Sequence, residues 1–405
     1  MSEKNTDLYY QTNHIAVLDG IRAVTILIIV WYHIWQQSWI MPILGDFNFD
    51  WIPRNGAICV DMMILLSGFC LFLPYAKEMV YGITAPNAKE FYVKRIARII
   101  PSSYAAVFIC FFLFALPAGE YNDRLFMLKD LLSHIFFVNN LWADTLITTK
   151  LNTALWTVAV EMQFYIIFPF LAKAFQKKPI ITYSVMVTIG LLSCFLISHN
   201  AENIYLPLYV NHTLTFFCVF ANGMLGALAY MTFTKDLKNN NSLNMLFTVM
   251  AVCGLCMFKM MCDNHSGSVN GQKWQVDNRF ILSLVFLLIV ISILMAQKVF
   301  QFLLGNKIMK FIAGISFNLY IWHQYLAVKL KELRIPYWQG EIPPNMFNDR
   351  IWMWKYQTLC IVAALLAAIL ATYLLEKPAA KLILNCFPAD TIKKAAKPSP
   401  LAAKK

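Results

Sequence analysis

Arg22 and His33 stand eleven residues apart in the stretch LDGIRAVTILIIVWYH, Leu18 to His33, and Asp19 lies one turn before the arginine. On insertion scales an ionisable group in an apolar helix costs about 2.5–3.5 kcal/mol, so a chain keeps one there only where it faces a bundle interior, finds a partner or marks a functional path. Eleven helical steps of about 100° return to within about 20° of the start, so both side chains leave one face, roughly 16 Å apart along the axis. Asp19 is near that face and can pair locally with Arg22. Two readings stay open here: an ion pair anchoring a helix end, or a polar path along the face.

The elements that must position these residues are membrane helices. The 405-residue chain is 59% hydrophobic and only 14% charged, against about 25% charged in soluble domains. Its apolar runs are near the twenty residues that cross about 30 Å of hydrocarbon, which predicts an all-α polytopic membrane protein rather than a barrel. Ten spans are expected near 16–36, 56–76, 99–118, 155–174, 180–198, 213–232, 244–261, 280–297, 308–330 and 356–376. The first reads as a retained helix and not a signal peptide, because charged residues begin it and no small-residue cleavage site follows.

The net charge of +12 is spread over short loops, which argues against nucleic acid as a partner and reports topology. With both termini cytoplasmic, the larger share of lysine and arginine falls inside, as the positive-inside rule requires. Residues 1–388 form one transmembrane domain in this reading, and 389–405 form a basic, disordered cytoplasmic tail able to touch anionic lipid. The ten cysteines lie mostly in apolar runs, and Cys253 and Cys256 have no accompanying histidine or second pair. They read as packing, with no metal site expected.

This topology brings other ionisable residues toward His33. Asp61, early in AICVDMMILLSGFCLF, Glu161 of ALWTVAVEMQFYIIFPF and His323 of FIAGISFNLYIWHQYLAVKL are all expected in the outer half of their spans. Such a set is also what a proton-coupled transporter or exporter would use as a relay, although no internal repeat is visible.

Six fragments, in order along the chain, resemble the acyltransferase 3 family of integral membrane acyltransferases. They are the Arg22/His33 stretch, ILLSGF, FYVKRIARIIPSSY, LWTVAVEMQFYIIFP, SFNLYIWHQ and LEKPAAKL. The resemblance implies transfer of an acyl group, commonly acetyl, from acyl-CoA to a hydroxyl of a surface carbohydrate at the cell membrane, with acyl-CoA as a donor substrate and no tightly bound cofactor. It also implies that Arg22 and His33 are functional. Arg22 with Asp19, Lys94, Arg95 and Arg98 would then form a cytoplasmic basic mouth for donor phosphates, since guanidinium forks onto phosphate oxygens. His33 is the expected base, with Glu161 or Asp61 on its other ring nitrogen. Trp156, Gln163 and Tyr165 are expected to form an acceptor wall, with His323 a packing or acceptor-side residue. The acceptor's identity and the oligomeric state are not legible.

Overall fold

The computed structural model describes residues 15–200, 205–236 and 240–387. The expected tail at 389–405 lies outside the described residues. Ten long helices follow in chain order: α1 (Ala16–Ser38), α2 (Cys59–Tyr81), α3 (Ala88–Ile109), α4 (Leu155–Lys177), α5 (Pro179–Asn200), α6 (Phe217–Asp236), α7 (Asn241–Ser266), α8 (Gly271–Met295), α9 (Lys307–Glu332) and α10 (Arg350–Leu370). Shorter pieces join them, and the strands among the described residues are a small hairpin pairing Ile43 with Asn48 and Leu44 with Phe47. The protein is an all-α, multi-pass membrane protein.

Among the described residues nine helices are long and apolar enough to cross a membrane, one fewer than expected. The exception is α9, which is 26 residues long but carries Lys307 and Lys310 at one end, Lys329, Lys331 and Glu332 at the other, and buries Ser316, Asn318 and His323 between them. Its polarity is tolerated because it packs against α1 and α10, where neighbours rather than lipid receive its polar face.

Helix starts are set by side-chain oxygens that take the free N–H groups of the first turn. Asn87 accepts from Glu90 N at 2.9 Å and starts α3 well before the expected 99. Asn270 accepts from Gln272 and Lys273 N and starts α8 at Gly271, also earlier than expected. Both extensions matter, because they bring arginines once assigned to loops into helices that face the interior.

Small residues let the central helices touch, as dispersion-driven packing in lipid favours. At the α2–α6 crossing Gly68 faces the Phe220 carbonyl and Gly223 faces that of Leu65, and a Cβ on either would fall well inside van der Waals contact. The chain between α3 and α4 folds back into the bundle: Asn140, Thr145 and Asn152 are fully buried there. Asn152 Nδ2 donates to the carbonyl of Ile321, in the middle of α9, at 2.7 Å, so α4 begins deep beside α9. Asp130 steadies this re-entrant stretch by accepting from Tyr121 Oη and Thr149 Oγ1, each at 2.8 Å, and from Lys150 N at 3.1 Å. Non-helical backbone is permitted at such depth where protein buries it.

Gly223→Leu forces α2 and α6 apart, and overpacking of this kind costs about 1–3 kcal/mol. The variant should lose monodispersity on heating in detergent at a clearly lower temperature than the parent protein. An unchanged midpoint would mean that the close crossing contributes nothing to stability.

Candidate functional site

Arg22 is at the second turn of α1, and Arg95 and Arg98 follow Phe91 on one face of α3. All three line a single cavity of about 800 Å³ of empty space, counted with its open mouth, together with Glu161 and Tyr165 of α4 and Tyr320 of α9. Their hydrogen-bonding capacity is under-used. Arg22 Nη2 donates to the Cys70 thiol at 3.6 Å, a weak partner for a guanidinium, and Arg95 Nε has no hydrogen-bond partner. The Arg95 guanidinium lies 5.7 Å from the ring centroids of both Phe91 and Tyr165. Tyr165 Oη donates to Glu161 Oε2 at 3.4 Å, and Glu161 is within electrostatic reach of all three arginines. Glu376, after α10, also reaches Arg98 and receives Asn318 Nδ2 at 2.6 Å. Three cations and one carboxylate line the cavity, so its wall carries an excess of positive charge, and unspent guanidinium donors suit an anion with several oxygens.

Tyr320 links this pocket to a second feature. Its ring centroid is 5.4 Å from that of His323, which is in turn 5.0 Å from that of His33. His323 is fully buried, and its Nδ1 contacts the carbonyls of Leu319 and Tyr320 at 3.1 and 2.7 Å. Carbonyls only accept, so Nδ1 carries the proton and Nε2, which has no partner, carries the lone pair. His33 is half-buried, and its Nδ1 lies 3.1 Å from Gln36 Oε1, while Gln36 Nε2 donates to Tyr32 Oη at 2.8 Å. That amide orientation makes Nδ1 the donor and leaves Nε2 of His33 as the basic nitrogen.

The structure redistributes the expected set. Glu161 does not join His33: because α4 starts deep, Glu161 falls among the arginines, and Gln36 occupies the ring nitrogen expected to meet a carboxylate. Asp61 is elsewhere again, in a fully buried pair with Arg279 Nε at 3.0 Å, and it accepts from Gln275 Nε2 at 2.9 Å. Arg279 was placed in a loop by hydropathy, yet it lies more than two turns into α8. It also donates to the Val210 carbonyl at 2.7 Å and to Thr215 Oγ1 at 2.5 Å.

Lys94 points off the Arg95/Arg98 face and pairs with Glu90 at 2.6 Å, more than half exposed. Asp19 is within electrostatic reach of Arg22 but does not line the cavity. Tyr165 lines the arginine pocket. The Gln163 amide is committed at both ends: Nε2 donates to the Phe137 carbonyl at 2.9 Å and Asn140 Oδ1 at 2.7 Å, and Oε1 accepts from Thr213. Trp156 stacks on Phe216 with centroids 6.2 Å apart. Tyr320, Arg279 and Glu376 were missed. Tyr320 had a usable signal, one turn before His323 in SFNLYIWHQ.

Fold and site thus define a multi-pass membrane protein with an open, arginine-lined pocket that Tyr320 connects to a histidine pair. The family model described as an acyltransferase domain matches residues 15–376, and the chain belongs to this family, acyltransferase 3. It is similar to the O-acetyltransferase OatA of Staphylococcus aureus (strain NCTC 8325 / PS 47), 23% identical over 361 residues that cover 85% of this chain and 55% of that protein. It is also similar to the peptidoglycan O-acetyltransferase OatA of Listeria monocytogenes, 26% identical over 201 residues, covering 45% of this chain and 29% of that protein. The chain therefore spans about half the length of the Staphylococcus relative it matches. No solved structure matches it.

The Asp61–Arg279 pair predicts an asymmetry between single and double substitutions. Removing one partner of a buried pair typically costs about 3–5 kcal/mol, whereas replacing both by apolar groups can be nearly neutral. Arg279→Met should sharply reduce the yield of folded protein, and Asp61→Leu combined with Arg279→Met should recover much of it, read as the monodisperse fraction in detergent. Equal yields for the single and double variants would remove the coupling between α2 and α8.

Proposed function

We propose that the protein transfers an acyl group, acetyl in the simplest case, from cytoplasmic acyl-CoA to a hydroxyl of a carbohydrate acceptor on the outer side of the plasma membrane. The observation that carries the reading is the connection of the Arg22, Arg95 and Arg98 pocket, through Tyr320, to the His33–His323 pair. The names of the relatives support an O-linked acetyl product and a carbohydrate acceptor. The lysine and arginine distribution supports cytoplasmic termini, which put the arginine pocket on the donor side.

The phosphates of the donor take the free guanidinium donors, and Glu161 offsets the mutual repulsion of the arginines. The pantetheine arm follows the α1 face, whose rise from Arg22 to His33 is about 16 Å. At the far end His33 Nε2 takes the proton of the acceptor hydroxyl as its oxygen attacks the thioester carbonyl. The tetrahedral intermediate collapses with cleavage of the C–S bond, and the imidazolium returns its proton to the departing thiolate, giving ester and free thiol. Gln36 holds the His33 tautomer that makes Nε2 the base, a task a carboxylate performs in hydrolase triads. Without an adjacent carboxylate the imidazolium depends on proton return to the thiolate for its short lifetime.

Membrane vesicles test orientation and base together. Acyl-CoA supplied to inside-out vesicles should release free thiol in an acceptor-dependent manner, and the same donor outside right-side-out vesicles should not. His33→Asn at matched levels of folded protein should lower turnover about 10²–10⁴-fold, the usual worth of general-base catalysis. Near-parental turnover in that variant, or donor use from the outer face, would overturn the mechanism.

Arg22→Lys keeps the charge and loses the fork. Its apparent KM for acyl-CoA should rise more than that for acceptor, because binding common to ground and transition state appears in KM. Unchanged donor kinetics would leave Arg22 a purely structural cation.

A further inference from the structure

A second groove, of about 810 Å³ counted with its open side, runs along the back of the wall that closes the arginine pocket. The wall consists of α3 and α9. On α3, Arg95, Arg98 and Ile99 face the pocket, while Ser102, Ala105 and Ile109 face the groove. On α9, Ser316, Phe317 and Tyr320 face the pocket, while Asn318, Trp322 and Tyr325 face the groove. Its third side is the end of α10 with the π-helical turn Ala371–Glu376. Another π-helical turn, Cys110–Ala115, continues α3 at the opposite end and supplies Phe114. Such turns are rare and concentrate at functional sites.

The groove has a polar end and an apolar end. At the polar end Ser102 and Asn318 are 2% and 0% exposed, and neither Ser102 Oγ nor Asn318 Oδ1 has a hydrogen-bond partner. The amide orientation follows from chemistry: Asn318 Nδ2 donates to Thr372 Oγ1 at 2.9 Å and to the Glu376 carboxylate at 2.6 Å, which leaves Oδ1 as a free acceptor. Lys377 follows immediately, exposed, with its Nζ 3.8 Å from the Tyr373 ring centroid. At the far end Phe114 meets Tyr325 edge-on at 5.6 Å. Phe114 and Leu370 are exposed, so the groove opens on the surface that hydrocarbon covers.

The geometry points to a seat for one phospholipid of the bilayer, with an acyl chain along the groove, its ester region at Ser102 and Asn318, and its phosphate toward Lys377. Ser102 to Phe114 is a rise of about 18 Å along α3, comparable with one leaflet of a hydrocarbon core about 30 Å thick. A plain alkane would leave both polar atoms unpaired, which is unfavourable for buried hydrogen-bonding groups. A phospholipid satisfies them: Ser102 Oγ–H donates to an ester carbonyl, and Asn318 Oδ1 accepts from a headgroup N–H or O–H. The seated lipid also braces α3 and α9 from behind, and those two helices carry Arg95, Arg98 and Tyr320.

The test uses the full chain in nanodiscs of phosphatidylethanolamine and phosphatidylglycerol, with a small fraction of phospholipid bearing a photoactivatable diazirine in its acyl chain. After irradiation, peptide mapping should find adducts concentrated on Trp322, Leu326 and Ile109. Ala367→Phe, which fills the groove from α10, should reduce those adducts about tenfold and spare adducts on outward residues such as Phe170. Ala105→Phe fills it from α3 and serves if the first variant does not fold. Ser102→Ala should lower the fraction of protein that keeps one phospholipid through detergent exchange, read by native mass spectrometry. Adducts spread evenly over outward-facing residues, or groove adducts that survive both filling variants, would show annular lipid only and overturn the proposal.

Discussion

Three guanidinium groups brought together around one open pocket between apolar helices form the constraint around which the other elements are arranged. Arg22, Arg95 and Arg98 come from two helices, and their mutual repulsion would part α1 and α3 unless charge of the other sign stood between them. Glu161 and Glu376 supply it, from α4 and from the turn after α10. On the cavity wall itself three cations face one carboxylate, Glu161, and are only partly compensated. That imbalance makes the pocket expensive when empty of anion and receptive to one.

Glu161 reaches this position through an irregular stretch of chain. Had α4 started at a membrane surface, its second turn would stand near that surface. The buried polar network of Asp130, Thr149 and Asn152 carries the chain inward first, so that α4 begins beside the middle of α9. The same inward step brings Thr157, Glu161 and Tyr165 to one wall of the pocket and leaves Gln163, on another face, to tie Phe137, Asn140 and Thr213 together. A pocket wall and a structural tie thus share one helix at different angles around its axis.

Hydropathy made the helical architecture readable, and the register of Arg22 with His33 followed from 3.6-residue periodicity alone. Depth was another matter. Window averages find the apolar centre of a helix and miss polar turns that continue it, so α3 and α8 were started late and Arg279 was left in a loop. Spacing says which residues share a face but not which helix that face meets; hence Asp61, Glu161, His33 and His323 could be placed at one depth, while only the fold could separate them into a buried ion pair, an arginine pocket and a histidine pair. The span at α9 was read from hydropathy like the others, and the structure shows it to be too polar for lipid, with the polar residues that a central helix shows to its neighbours.

The two imidazoles close the physical argument. Both hold their Nδ1 proton through a fixed acceptor, a pair of backbone carbonyls for His323 and the Gln36 amide for His33, so both present a basic Nε2. Two such nitrogens on neighbouring rings cannot both be charged at low cost in an apolar setting, since like charges a few ångströms apart disfavour each other strongly there. His323 is enclosed and His33 only half-buried, so of the two rings His33 is the accessible one. The enclosed member packs beside Tyr320, which also lines the arginine pocket.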